Sequence, residues 1–382
     1  MRARRKLGLG LLTAALLLLS IEGVLRLAGD PPEPTLVVTM PDGNRAPFTE
    51  SDGTLVPNYQ GPFPVAPIPL EKSGPRVLMF GGSSVHGGGT ERLRLDQEMP
   101  GVLAELLGVE VRNLGGPGLD TGHLVGIVEA AGVLQPDVIV LYTGHNDLGN
   151  AVFFHRYGDL RSVLTHKARG TLGNLALFQW LEVLLAPNEF PIPTPEAQGL
   201  WTVDAERREQ VRRHFEERLR RIVRVAKETG AEVVLATVAS NPWQPTTEWE
   251  CPAALRRLGL SGRSPDWDFS GVDQDALSAE DKDCRDIAWL EAVLDADAEI
   301  LDELRDTDPL PLRADRATVE IIRTVAEDEG VALADVNAAL RAEGGGLEPP
   351  EHYIDVVHYS VGGHRAVAEV LAPVVDDALA GR

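Results

Sequence analysis

The chain has 382 residues, of which 43% are hydrophobic and 25% charged, and its formal net charge is −22. That length can bury a large single core. So acidic a chain, with pI near 4.8, argues against nucleic acid or an anionic membrane surface as a partner.

At the N-terminus, Arg2, Arg4, Arg5 and Lys6 precede Leu7–Ile21, fifteen residues without a charge. This overlaps the apolar core of a signal peptide and is short for a spanning helix, but continuing through Leu27 reaches about one bilayer thickness. Glu22 and Arg26 are spaced to pair at the outer interface. No Ala-x-Ala cleavage site follows convincingly. Residues 1–30 are therefore expected to form an uncleaved transmembrane helix, with a cleaved signal as the alternative. The basic flank would stay in the cytoplasm and leave the rest of the chain periplasmic or extracellular.

Residues 31–75 are Pro-rich, lack helical periodicity and read as a stalk able to lend short strands to a domain edge. From Arg76 the pattern alternates. Strands are predicted at 76–80, 110–114, 137–142, 232–239 and 331–336, and helices at about 96–107, 122–134, 204–229, 313–329 and 361–379. In the third helix Val211, Phe215, Leu219, Ile222, Val223 and Ala226 recur at helical spacing, and Gly230 ends it. Five short apolar strands alternating with helices predict an α/β domain over 76–382, its parallel sheet covered on both faces.

Two stretches, about 148–200 and 240–312, break the alternation and read as insertions. The second holds four of the six tryptophans and both cysteines, Cys251 and Cys284. It either packs a small core of its own or forms a wall over substrate, with Trp243 best placed for contact. On an exported chain the two cysteines are free to form a disulfide or to stay as thiols.

Four segments carry chemistry. Gly81-Gly82-Ser83-Ser84-Val85-His86-Gly87 leaves the first predicted strand. Val111-Arg112-Asn113-Leu114-Gly115-Gly116-Pro117-Gly118 leaves the second, and Gly144-His145-Asn146-Asp147 the third. Asp355-Val356-Val357-His358 lies near the C-terminus. A serine on a Gly-rich turn is open to attack a carbonyl, and a histidine with a carboxylate three residues earlier is an oriented general base. A glycine N–H and an asparagine amide supply donors for a developing oxyanion. Ligands of parallel sheets bind beyond the strands' carboxyl ends, where Ser83, Gly118 and Asn146 all fall.

On these segments the chain resembles the SGNH, or GDSL-type, hydrolases, whose landmarks in order are Ser, Gly, Asn and His. The resemblance covers roughly residues 75–375 and implies a flavodoxin-like three-layer α/β/α fold. It implies Ser83, Asp355 and His358 as catalytic residues, with the N–H groups of Ser83 and Gly118 and the amide of Asn146 as the oxyanion hole. No cofactor and no metal is called for. The chain departs from the family at Gly82, where an Asp usually precedes the serine. This leaves Ser84 as an alternative nucleophile, although Ser83 keeps the spacing to Gly87. His86, His123 and His145 are expected to line the site, and Asp147 to be structural.

The implied activity is a serine esterase acting on O-acetyl or short acyl groups of a small-molecule ester or an envelope glycan. A polysaccharide O-acetyltransferase or an inactive glycan-binding module would use the same scaffold. Other chemistries fit less well. No Gly-Lys-Ser/Thr follows the Gly-rich loop, and Val85 occupies the last position of a Gly-x-Ser-x-Gly elbow. The spacing of His352, Asp355, His358 and His364 matches no standard zinc pattern.

Overall fold

The computed structural model describes residues 20–22, 24, 47–59, 66–87, 93–153, 205–244, 251–258, 260, 272, 284–308 and 311–381. The segment expected to anchor the chain lies almost wholly outside the described residues, as does most of the expected insertion at 148–200. Among the described residues no helix is long and apolar enough to cross a membrane. The chain divides into two compact units. One, Met1–Ala46 with Arg156–Ile192, contains only residues 20–22 and 24 of those described. All the elements named here belong to the other, Pro47–His155 with Pro193–Arg382.

The stalk segment supplies an antiparallel sheet of β1 (Phe48–Ser51), β2 (Thr54–Pro57) and β3 (Ile68–Pro69). Asp52 and Gly53 turn the first hairpin with φ of 50° and 72°, the doubly positive geometry that Asp-Gly adopts readily. Buried Tyr59 follows, its hydroxyl donating to Leu114 O.

The main sheet is five-stranded and parallel: β4 (Arg76–Gly81), β5 (Glu110–Gly115), β6 (Val138–Tyr142), β7 (Glu232–Ala236) and β8 (Ala332–Ala334), in spatial order β5-β4-β6-β7-β8. The order reverses between β4 and β6, which opens a crevice at their carboxyl ends. β4 and β6 are buried along their whole length, as expected of central strands covered on both faces.

The connecting helices are α1 (Ser83–His86), α2 (Met99–Leu107), α3 (Thr121–Ala131), α4 (His145–Phe153), α5 (Ala205–Glu228), α6 (Pro252–Arg257), α7 (Arg285–Leu294), α8 (Ala298–Asp306), α9 (Arg316–Glu329), α10 (Val336–Glu343) and α11 (Val361–Ala380). α2 packs on α11, while α5 packs on α3 and α9. The apolar stripe expected on α5 is buried at every named position, from Val211 to Ala226.

Boundaries shift for local reasons. β7 stops three residues before its predicted end because the chain leaves the sheet, with Ala239 N–H donating to the Tyr142 hydroxyl and Ala239 O accepting from Tyr359. β8 is cut short where Asp335 caps α10 by accepting from Ala338 N–H. α9 begins at Arg316 because Asp315 accepts from Thr318 N–H at 2.8 Å.

The insertion at 240–312 contains α6, α7 and α8 and packs a core of its own, including Leu255, Ile287, Trp289, Leu290 and Leu301. A disulfide between Cys251 and Cys284, the residues preceding α6 and α7, ties it together.

Candidate active site

β4 delivers its last residues into a tight turn. A side chain on Gly81 would place its first carbon 2.2 Å from Tyr142 O, and one on Gly82 would place it 2.5 Å from Asn146 Nδ2. Glycine at 82 therefore admits the Asn146 amide into the space a side chain would fill. Gly82 O accepts from the N–H groups of Val85 and His86, which starts α1 with half-buried Ser83 as its first residue.

The second component is the loop before α11. Tyr353 and Tyr359 pair across it, and Ile354 N–H donates to His358 O at 2.9 Å. Within this turn Asp355 Oδ1 accepts from the N–H groups of Val357 at 2.9 Å and His358 at 2.8 Å. Its other oxygen lies 2.6 Å from His358 Nδ1. His358 Nε2 lies 2.7 Å from Ser83 Oγ. Burial pushes the Asp355 carboxyl up, but the hydrogen bond and charge of His358 and the two backbone N–H groups outweigh it and hold it below its usual value. Asp355 is thus charged and His358 oriented.

Neighbours lock the loop. The Ser84 hydroxyl donates to Val357 O at 3.0 Å, Asn241 N–H donates to Val356 O at 3.0 Å, and the Asn241 amide donates to Asp355 O at 3.3 Å. Ser84, left open as a nucleophile by the sequence, is buried and engaged with backbone. Only Ser83 of the pair meets the histidine.

The third component comes from two other turns. Gly118, after β5, takes φ +69°, a left-handed backbone suited to glycine. Asn146, second residue of α4, donates from Nδ2 to Leu119 O at 2.8 Å. An amide nitrogen carries two hydrogens, so this bond fixes the group and leaves one hydrogen for a ligand. The site thus combines an aligned hydroxyl, base and carboxylate with polar donors, the arrangement that nucleophilic acyl transfer requires.

The remaining candidates have other duties. His123 completes the N-terminal capping box of α3 with Asp120. Burial drives the His145 pKa down to about 3, with the charge of His358 adding to this, and its Nδ1 accepts from Ala314 N–H. His86 is buried. His364 accepts from Met99 N–H and is held to about 4 by burial, so it too is neutral. His352 pairs with Glu343 at 3.0 Å rather than joining His358. Trp243 donates from its indole to Glu348 O at 2.7 Å and from its backbone N–H to Asn241 Oδ1 at 2.9 Å, and lies half-buried against the insertion's core. Among the described residues, the metal-capable group is Cys251, Cys284 and Asp286, and both cysteines are committed to the disulfide.

Sequence reasoning missed Asn241 and Asn150. Asn241 sits in the aperiodic insertion, where nothing local marks it. Asn150 is one helical turn after Asn146, a spacing that could have flagged it.

The family model described as GDSL-like lipase/acylhydrolase matches residues 79–289. Among solved structures, an alpha/beta hydrolase enzyme from the metagenome of Lake Arreo, Spain, is 14% identical, over 81% of this chain and 98% of its own, with a TM-score of 0.41. A member of the lipolytic G-D-S-L family from Veillonella parvula is 13% identical over 79% and 98%, with a TM-score of 0.40. A catalytic mutant of an acetylxylan esterase from Geobacillus stearothermophilus is 14% identical over 81% and 96%, with a TM-score of 0.37. No curated protein matches the chain significantly.

Proposed function

Because the chain belongs to the GDSL-like lipase/acylhydrolase family, we propose that it is a serine esterase that removes O-acetyl or short acyl groups. Ser83 is the nucleophile, His358 its general base, and Asp355 the carboxylate that orients the base. The observation that carries this reading is the unbroken chain from Ser83 Oγ to His358 Nε2 at 2.7 Å and from His358 Nδ1 to Asp355 Oδ2 at 2.6 Å.

Ser83 Oγ gives its proton to His358 as it attacks the ester carbonyl, and Asp355 stabilises the imidazolium that forms. The tetrahedral oxyanion is held by the N–H groups of Ser83 and Gly118 and by the second hydrogen of the Asn146 amide. His358 then protonates the departing alcohol, leaving the acyl group on Ser83. Water, losing its proton to His358, releases the acid and restores the hydroxyl.

The reading extends to location. Residues 7–27 act as an N-terminal anchor with the basic flank in the cytoplasm, so the site acts at the outer face of the membrane on envelope glycans or exogenous esters. The Cys251–Cys284 disulfide supports this, because such bonds persist in oxidising compartments.

The test is hydrolysis of p-nitrophenyl acetate and butyrate by the detergent-solubilised chain. Wild type and Ser84→Ala should both release p-nitrophenol, and Ser83→Ala should not. Full activity in Ser83→Ala would refute the assignment.

A further inference from the structure

The two donors assigned to the oxyanion hole beside the Ser83 N–H come from turns the sheet does not join. Gly118 follows β5 and Asn146 follows β6, and β4 lies between these strands. At about 4.8 Å per strand, the turns start roughly 10 Å apart. Something must bring their donors to one point above β4.

Three residues of α4 reach across. Asn146 donates to Leu119 O at 2.8 Å. Asp147 accepts from the Thr121 hydroxyl at 2.5 Å and from Thr121 N–H at 3.3 Å. Asn150 donates to Gly118 O at 3.0 Å and to Asp120 Oδ2 at 2.7 Å. Residues 118–121 are therefore stitched to the first turns of α4, and the Asn146–Leu119 stitch lies against Gly82. Asp120 and Thr121 are completely buried, and Asp147 and Asn150 nearly so. Away from water such bonds have few substitutes, and a satisfied network rigidifies what it joins.

We propose that Thr121, Asp147 and Asn150 are positioning residues that clasp the Gly118 loop to α4 and thereby set the geometry of the oxyanion hole. This rests on the esterase reading above. The clasp touches neither Ser83 nor His358, so its loss moves the donors and leaves the nucleophile and base aligned. Breaking it lowers kcat, leaves KM nearly unchanged and blunts the site's preference for an oxygen anion over a sulfur one, because displaced donors no longer fit the smaller, stronger acceptor.

The experiment compares a p-nitrophenyl ester with its thiono counterpart in the full-length chain. Thr121→Val keeps the shape and removes the hydroxyl; Thr121→Ser restores it. Thr121→Val should lower kcat on the oxygen ester about tenfold or more, a fraction of the loss expected for a whole oxyanion donor. It should reduce the oxygen-to-sulfur rate ratio, while Thr121→Ser recovers both. Equal losses on the two substrates, or no loss, would overturn the clasp. Asn150→Ser, whose side chain falls short of Gly118 O, carries the same expectations if Thr121→Val does not fold. Asn146→Ala is the control. Should it retain full activity and the full ratio, the oxyanion assignment fails; should it lose both while Thr121→Val and Asn150→Ser lose neither, only the clasp fails.

Discussion

At Gly82 the Asn146 amide packs directly against the turn that carries Ser83. A methyl group there would lie 2.5 Å from Asn146 Nδ2, well inside contact distance, so the amide would have to shift from its present position. Gly82→Ala is therefore expected to fold with a nearly unchanged melting temperature and to lose about 10–100-fold in kcat, approaching the loss of an oxyanion donor. Wild-type turnover in Gly82→Ala would show that the amide is not needed where it stands. Asp355→Asn is expected to cost up to about 10⁴-fold in kcat, since the amide disturbs the tautomer and orientation of the base. At this scale the site was largely legible in the sequence. Asp355 and His358 are three residues apart, so one turn suffices to bring them together. Spacing to Gly87 favours Ser83 over Ser84, but the bond that occupies Ser84 was out of reach, because its partner Val357 O is 273 residues away along the chain. Asn150 is marked only by its spacing, one helical turn after Asn146; its partners are fixed only when β5 and β6 are placed.

Among the elements, α9 depends on Asp315, which is buried, caps the helix through Thr318 and accepts from Arg212 at 2.6 Å. Burial pushes its carboxyl up, but hydrogen bonding to Arg212 and Thr318 and the Arg212 charge hold it below its usual value. Asp315→Ala should cost about 3 kcal/mol in urea unfolding, since it removes a cap and strips a partly buried arginine of its partner. A loss under about 1 kcal/mol would contradict the assignment. The insertion is held differently. Its disulfide spans 33 residues, and replacing both cysteines with serine should lower stability by about 3–4 kcal/mol. Because Asn241 at the insertion's start also braces the Asp355 loop, kcat should fall in the same variant; unchanged stability and turnover would show the insertion to be self-sufficient. Four of the five parallel strands could be read from the sequence because they are short, mainly apolar runs between glycine or polar breaks; β5, with Glu110, Arg112 and Asn113 in it, could be read from the glycine turn that follows. α6, α7 and α8 could not. They are short, their apolar positions serve a local core, and acidic residues crowd between them.

Over the whole molecule, buried ionisable groups tie stability to pH in opposing ways. Burial, with the neighbouring Asp120 charge, raises the Asp147 pKa from 3.8 to about 7. The folded state then holds this proton more tightly than the unfolded chain, so the contribution is present below about pH 4 and lost as pH rises to about 7. His145 and His364 act in reverse: burial depresses them to about 3 and about 4 from 6.5, so their contribution is present above pH 6.5 and lost as pH falls. The melting temperature of Asp147→Asn relative to wild type should therefore climb between pH 4 and pH 7; a difference that stays flat or falls would contradict a buried, proton-holding Asp147. Sequence could place Asp147 beside Asn146 but not beneath α3 with Asp120 for a neighbour, so this behaviour was not legible there.

The central claim is a covalent one, that the acyl group passes through Ser83. The most direct measurement is the intact mass and tryptic map of the chain after reaction with a p-nitrophenyl alkylphosphonate, whose phosphorus takes the place of the ester carbonyl. One adduct on Ser83 in wild type and Ser84→Ala, and none in Ser83→Ala or after denaturation, is the expected result. An adduct on Ser84, or labelling that survives Ser83→Ala, would contradict it.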